Sequence, residues 1–176
     1  MKYFTSYFNL ENEEEHILFA KSLKNQLPTK PRPLLFLCIG SDRVTGDCLG
    51  PMVGEMLLNF PQKHLHVYGS LSSPVHGENL ISVQQKMTKE HSNPFVIAID
   101  ASLGEPSHLG LVTLSNAPIC PGKGVNKCLP ALGDLSITGI VNQAGPSGFL
   151  SLQSTRLYKV MKLSQFIVSG IQQSLL

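Results

Sequence analysis

The chain has 176 residues, with 14 lysine and arginine residues against 12 aspartate and glutamate residues, a net charge of +2. This length suits one well-buried core and is short for two. The near balance of charge argues against a general nucleic-acid-binding surface, and no stretch approaches the roughly 20 apolar residues that span a bilayer. The apolar content, 42%, together with 15 glycines and 12 prolines, indicates a globular protein with many turns.

Hydrophobic periodicity predicts one amphipathic helix near the start of the chain. Within Asn9–Leu27, the residues Phe19, Leu23 and Leu27 repeat every four positions, and glutamates lie in the first turns. The proline-rich residues 28–33 end this helix. We therefore expect residues 1–33 to form an N-terminal helix and linker, packed on a domain that spans residues 34–176.

Strands alternate with helices through the rest of the chain. The predicted strands lie at residues 34–39, 64–69, 94–100, 110–114 and 137–142, and the predicted helices begin at Pro51, at Glu78 and at Leu157. The strand at 94–100 is apolar up to its last residue, as expected of a parallel strand that is covered on both faces. This alternation predicts an α/β fold: a three-layer α/β/α sandwich with a largely parallel mixed sheet.

The cysteine pattern and the first residues of the chain indicate the cellular compartment in which the protein is expected. Cys38, Cys48, Cys120 and Cys128 form no C-x-x-C pair and match no zinc module. The first residues show no signal-peptide pattern. We therefore expect four reduced thiols and a cytoplasmic location.

The stretch Cys38–Pro51 joins the first strand of the predicted sheet to the next helix. It is rich in glycine and holds two of the four aspartates of the chain, Asp42 and Asp47. It contains neither the phosphate-loop motif nor the G-x-G-x-x-G fingerprint. We interpret it as one wall of an active site, in which Ser41, Asp42 and Arg43 shape a substrate cleft.

A second carboxylate is predicted to meet Asp47 at the same sheet edge, because Asp100 ends the apolar strand at 94–100. Two close carboxylates cannot both ionise cheaply, so one of them takes up a proton. Since Asp47 precedes a helix N-terminus, whose dipole favours the ionised form, we expect Asp100 to have the raised pKa. Such a pair can activate water and protonate a leaving amine. The alternative is that the two residues only cap a turn and a loop.

The remaining candidates are weaker. The basic loop 121–127 contains Lys123 and Lys127, which would clamp a substrate or belong to a plain surface turn. His108 is a weak metal candidate in a loop, and Asp134 is a polar candidate that also suits a helix or turn cap. We predict no cofactor.

Four separated motifs occur together in this chain. They are CIGSDRVTGDCLGPMVG (38–54), AIDASLG (98–104), PGKGVNK (121–127) and GDLSITGIVN (133–142). Their combination and order resemble the sporulation-associated family of short YyaC-like proteins, which is related to the spore germination protease and to the hydrogenase-maturation endopeptidases. The resemblance covers roughly residues 34–170.

The resemblance implies a fold and an activity. The fold is the phosphorylase/hydrolase-like α/β sandwich, and the activity is that of an aspartic-type endopeptidase acting on small acid-soluble spore proteins. Its two key aspartates correspond to Asp47 and Asp100, and its glycine-rich loop resembles Pro121–Lys127. The expected location is the mother cell or forespore of a spore-forming bacterium.

Three functions remain open from the sequence. The first is this peptidase, with a protein or peptide as partner and with neither nucleic acid nor membrane. The second is a non-catalytic sporulation protein that binds a partner through the same cleft. The third is a metal-dependent maturation-type endopeptidase that uses Asp47, Asp100 and His108. A homo-oligomer is compatible with each of them.

Overall fold

The computed structural model describes residues 3–60, 65–120 and 131–176. The strands are β1 (Thr5–Asn9), β2 (Leu34–Cys38), β3 (Leu65–Tyr68), β4 (Phe95–Gly104), β5 (Leu111–Ser115) and β6 (Leu135–Gln143). The helices are α1 (Glu13–Gln26), α2 (Leu49–Leu58), α3 (Leu80–Glu90), α4 (Gly148–Gln153) and α5 (Leu157–Ser174). Two short 3-10 helices lie at Thr45–Cys48 and Pro106–His108.

The six strands form one mixed sheet in the order β1-β5-β6-β4-β2-β3. The four strands β6, β4, β2 and β3 are parallel to one another, whereas β5 runs antiparallel to β6 and β1 runs antiparallel to β5. The carboxyl ends of β2, β4 and β6 therefore meet at one edge of the sheet, which is where ligands bind in open α/β folds.

Helices cover the two faces of the sheet unequally. One face packs against α1, α2 and α5 in a large apolar cluster that includes the fully buried Phe19, Val53 and Ile167. The other face packs against α3, where Leu80 and Met87 meet Leu35 and Leu37 of β2. The predicted three-layer sandwich with a largely parallel mixed sheet is confirmed.

The N-terminal segment adds a strand that the sequence analysis missed. Residues Thr5–Asn9 pair with β5, and the ring of Phe8 packs on the edge of Phe19 at 5.2 Å between centroids. The helix therefore begins later than Asn9: the side chain of Asn12 accepts a hydrogen bond from the backbone N–H of Glu14 and caps α1.

Three further differences concern the edge that carries the candidate site. β4 continues four residues beyond Asp100, because its pairing with β6 extends to Gly104. Asp100 is thus inside the strand and not its last residue. Pro51 is the third residue of α2 and not the first, and the short helix α4 was not predicted.

No helix in the described ranges combines the length and the apolar character needed to cross a bilayer. The cysteines that the structure describes, Cys38, Cys48 and Cys120, are free thiols, as expected. Cys128 lies outside the described residues.

Candidate active site

The turn after β2 brings Asp47 back to the end of that strand. The backbone N–H of Ser41 donates to the carbonyl oxygen of Asp47 at 3.1 Å, and the N–H of Asp47 donates to the carbonyl oxygen of Val44 at 2.9 Å. Gly40 has a φ of +140°, and a Cβ atom there would lie 2.0 Å from the carbonyl oxygen of Asp47. The turn therefore closes too tightly for any residue but glycine at position 40.

The same turn is fixed against the strand that carries Asp100. A Cβ atom at Gly50 would lie 2.0 Å from the carbonyl oxygen of Ile39, so the start of α2 rests directly on the backbone that follows β2. In turn, the N–H of Ile39 donates to the carbonyl oxygen of Ile99 at 2.7 Å. Backbone contacts thus connect the segment of Asp47 to the residue that precedes Asp100.

Asp100 is a buried carboxyl group, with 9% of its surface exposed. Its Oδ1 accepts a hydrogen bond from the N–H of Ala101 at 2.8 Å. Burial raises the pKa of Asp100 well above its ordinary value, and the negative charge of Asp47 raises it further. The hydrogen bond from Ala101 acts in the opposite direction and is outweighed.

Asp47 is less buried, and burial raises its pKa to about 6. A hydrogen bond from the backbone of Ser41 lowers the pKa but does not cancel this effect. Contrary to our expectation, the position of Asp47 before a helix therefore does not give it a depressed pKa. Burial thus raises the pKa of both carboxyl groups, and the charge of Asp47 raises that of Asp100 further; the assignment of Asp100 as the protonated partner stays a prediction.

The other turn residues flank this pair. Ser41 is half-buried and its hydroxyl accepts a hydrogen bond from the N–H of Arg43 at 3.3 Å, while Asp42 and Arg43 are exposed. The charges of Asp42 and Asp47 contribute, after burial, to the raised pKa of the Cys48 thiol. These placements leave the substrate role of Ser41, Asp42 and Arg43 a prediction. Lys123 and Lys127 lie outside the described residues.

The two outlying candidates are engaged elsewhere. The ring of His108 stacks on Tyr7 with 4.7 Å between centroids. Asp134 lies at the opposite sheet edge, where its Oδ2 accepts a hydrogen bond from the N–H of Val96 at 2.8 Å and its Oδ1 is 3.9 Å from Arg32. Asp134 therefore joins the starts of β4 and β6, in keeping with the capping interpretation.

A resident metal would need a third donor beside the two carboxylates. Among the described residues, no group of three or more histidine, cysteine, aspartate or glutamate side chains is arranged to hold an ion. His108 does not form such a group with Asp47 and Asp100. The side chains that the structure describes around Asp47 and Asp100 therefore do not fit the metal-dependent alternative with His108, and we derive no step through a metal.

Sequence reasoning missed a row of hydroxyl groups on the face of Asp100. Thr138 of β6 is the register partner of Asp100, and its Oγ1 lies 2.7 Å from that of Thr113. The hydroxyl of Ser102 donates to Thr138 at 3.2 Å. The alternation of Ser136 and Thr138 with apolar residues in β6 is a signal of a polar face that could have revealed this row.

The sequence analysis also missed α4, which contacts both aspartate-bearing segments. The Nδ2 of Asn142 donates to the carbonyl oxygen of Ser151 at 2.7 Å, and the hydroxyl of Thr155 donates to the same oxygen at 2.8 Å. A Cβ atom at Gly46 would lie 2.8 Å from the Cα of Leu152. The helix is therefore held both to the carboxyl end of β6 and to the turn of Asp47.

Comparisons with known proteins agree with this architecture. One relative in sequence is the "Uncharacterized protein YyaC" of Bacillus subtilis (strain 168). It is 45% identical to this chain over 140 residues, which are 80% of this chain and 68% of that protein. Among solved structures, a [NiFe] hydrogenase maturation protease HycI from Thermococcus kodakarensis KOD1 matches with a TM-score of 0.53 at 14% identity, over 86% of this chain and 99% of that chain. At this identity the likeness shows the fold alone.

The family match extends further than the resemblance found in the sequence motifs. The model of the family described as "Protein of unknown function (DUF1256)" matches residues 7–170. The match thus includes the N-terminal helix, which the motif-based resemblance left outside. With nearly its whole length matched, the chain belongs to the DUF1256 family.

Proposed function

We propose that this protein is a peptidase that hydrolyses peptide bonds through Asp47 and Asp100. The observation that carries the proposal is the interaction of the two carboxyl groups: the charge of Asp47 raises the pKa of Asp100, which burial has already raised. The resemblance in fold to a maturation protease supports the same reaction class. A fold hosts many functions, so the argument depends on the pair and not on the fold.

The two groups suit complementary roles at neutral pH. Asp47, with a pKa of about 6, is mostly ionised and accepts a proton from a water molecule as its oxygen attacks the peptide carbonyl carbon. Asp100 stays protonated throughout and donates a hydrogen bond to the carbonyl oxygen as negative charge develops there. The proton taken up by Asp47 then passes to the peptide nitrogen as the carbon–nitrogen bond breaks and the carbonyl group re-forms, which releases a carboxylic acid and an amine. One group is thus a base and the other an acid, although both are aspartates.

The substrate we propose is a spore protein of the small acid-soluble class, cleaved in the cytoplasm of the mother cell or forespore. This choice rests on the resemblance of the four sequence motifs to those of the germination-protease relatives. Ser41, Asp42 and Arg43 would contact the substrate next to Asp47, and Lys123 and Lys127 would clamp it.

The proposal is tested by incubating the purified protein with small acid-soluble spore proteins and following new chain ends by mass spectrometry. We expect cleavage by the wild type and a loss of at least about a hundredfold for Asp47→Asn and for Asp100→Asn. Asp134→Asn, at the opposite sheet edge, is the matched control and should cleave as the wild type does.

Two outcomes contradict the proposal. Undiminished cleavage by both variants removes the aspartates from the reaction. An inactive wild type that nevertheless binds the substrate favours the alternative of a non-catalytic sporulation protein that binds through the same cleft.

A further inference from the structure

The outer side of α4 exposes two adjacent large apolar residues beside the aspartate pair. Phe149 is 50% exposed and Leu150 is 60% exposed. The helix has the sequence GFLSLQ and carries no charged side chain. Leaving both side chains in water forgoes the favourable burial that each would gain against a partner.

This helix is in contact with both segments that position the pair. It contacts the 3-10 helix Thr45–Cys48, which holds Asp47, and it contacts β4, which holds Asp100. Its last turn lies against Gly46, where an added Cβ would meet the Leu152 carbonyl oxygen at 2.7 Å. A peptide whose scissile bond reaches Asp47 must therefore pass close to α4.

The distance between α4 and Asp47 corresponds to a number of residues along an extended substrate peptide. Phe149 precedes Leu152 by about one turn of helix, roughly 5 Å. Leu152 lies against Gly46, the neighbour of Asp47 in the chain, so the backbone of Phe149 is at most roughly 13 Å from that of Asp47. An extended peptide advances about 3.3 Å per residue. The side chains of Phe149 and Leu150 are thus within reach of a substrate residue about two to four positions from the scissile bond.

We infer that Phe149 and Leu150 form a specificity subsite that selects peptides with a bulky apolar side chain two to four residues from the cleaved bond. This inference rests on the proposed peptidase function and names the class of substrate it prefers. The site is anchored rather than loose, because Asn142 and Thr155 hold α4 to β6 through Ser151. Because α4 is already held in place, binding of a peptide to these apolar side chains does not incur the entropy cost of ordering the helix.

The test uses a panel of fluorescein-labelled synthetic nonapeptides, each with one leucine or phenylalanine moved through a serine and alanine background. Cleavage is measured for the wild type, for Phe149→Gln and for Leu150→Gln. Leu58→Gln is the matched control, because Leu58 is 56% exposed at the far end of α2. Glutamine keeps good helix propensity, so these variants should fold.

We expect the wild type to prefer peptides with the apolar residue at one of these positions. Phe149→Gln and Leu150→Gln should lower kcat/KM for those peptides about tenfold or more, with no change for the all-polar peptide. Leu58→Gln should match the wild type. Cleavage without an apolar preference, or a preference unchanged in both variants, overturns the inference and leaves the proposed function standing.

Binding separates the two proposals if no peptide is cleaved. Fluorescence anisotropy with the Asp100→Asn protein measures the affinity for the same panel without hydrolysis. A tenfold weaker binding of apolar peptides after Phe149→Gln supports the subsite even if the peptidase function fails. If these variants instead convert a dimer to a monomer in sedimentation experiments, the helix packs against a second copy and the inference is wrong.

Discussion

The free energy of unfolding of Asp47→Asn, measured relative to that of the wild type, should be higher at neutral pH than at pH 4. The reason is that burial disfavours the charged form of this side chain, and asparagine is never charged. The expected gain follows from the raised pKa. In the folded protein the pKa is about 6 against an ordinary value of 3.8, and each pKa unit corresponds to about 1.4 kcal/mol.

The size and the sign of the effect are fixed by linkage. A carboxyl group with a raised pKa in the folded state stabilises the fold below about pH 4, and this contribution is lost as the pH rises through about 6. The wild type should therefore lose about 2–3 kcal/mol relative to Asp47→Asn between pH 4 and pH 7. Above the pKa of Asp47 the difference should level off.

Urea unfolding at pH 4, 5, 6 and 7 measures this difference. Because the chain has no tryptophan, the transition is best followed by far-ultraviolet circular dichroism. Any pH-independent effect of the substitution, such as altered packing, adds a constant and leaves the slope intact. The burial cost of Asp100 is common to both proteins and cancels while Asp100 stays protonated.

Asp42→Asn is the matched control, since it removes an exposed carboxylate from the same turn. Its free energy of unfolding should differ from that of the wild type by no more than about 0.5 kcal/mol at each pH. The reasoning is refuted if the Asp47→Asn difference is flat between pH 4 and pH 7. It is also refuted if Asp42→Asn shows the same slope, because the effect would then come from net charge and not from burial.

Three further predictions concern the same edge of the sheet. Asp47→Asn should lower the pKa of Asp100, because it removes a neighbouring negative charge; carbon-13 NMR titration of the carboxyl groups would show a pKa that stays unchanged if the two do not interact. Cleavage should rise with pH through about 6 as Asp47 ionises and fall again when Asp100 loses its proton; a rate independent of pH between 5 and 7 would contradict this. Gly50→Ala should destabilise the protein by about 2 kcal/mol or more, since its Cβ would meet the Ile39 carbonyl oxygen at 2.0 Å, whereas Gly145→Ala, with no atom within 4 Å, is the matched control in urea unfolding.

The layers of the fold could be predicted because the pattern of apolar residues in each long buried element indicates whether it is a strand or a helix and which of its faces are covered. The apolar run before Asp100 indicated a strand covered on both faces, and the spacing of apolar residues after Leu157 indicated a long helix. Both are observed, as β4 and α5. Where the pattern is short or mixed, the prediction failed: β1 has five residues with only Phe8 buried.

The limits of the prediction at the site have a similar cause. The sequence predicted that Asp47 and Asp100 would lie at the same sheet edge, because each was expected to follow a buried parallel strand, and β2 and β4 are indeed neighbours. That Asp100 lies inside β4 follows from its pairing with β6, which no local pattern records. The position of α4 against Gly46 is likewise a contact between distant parts of the chain, and the six-residue helix is too short to show a reliable period.

The glycines of the turn and the raised pKa values belong to one physical arrangement. Asp47 is buried because the turn lies directly against the strand ends, and the turn can lie there only because positions 40 and 50 carry no Cβ. The backbone contacts that hold the turn must offset the cost of burying a carboxyl group whose pKa is raised to about 6. Substitutions that loosen the turn should therefore let water reach Asp47, lower its pKa and reduce the difference between the two carboxyl groups on which the proposed division into base and acid depends.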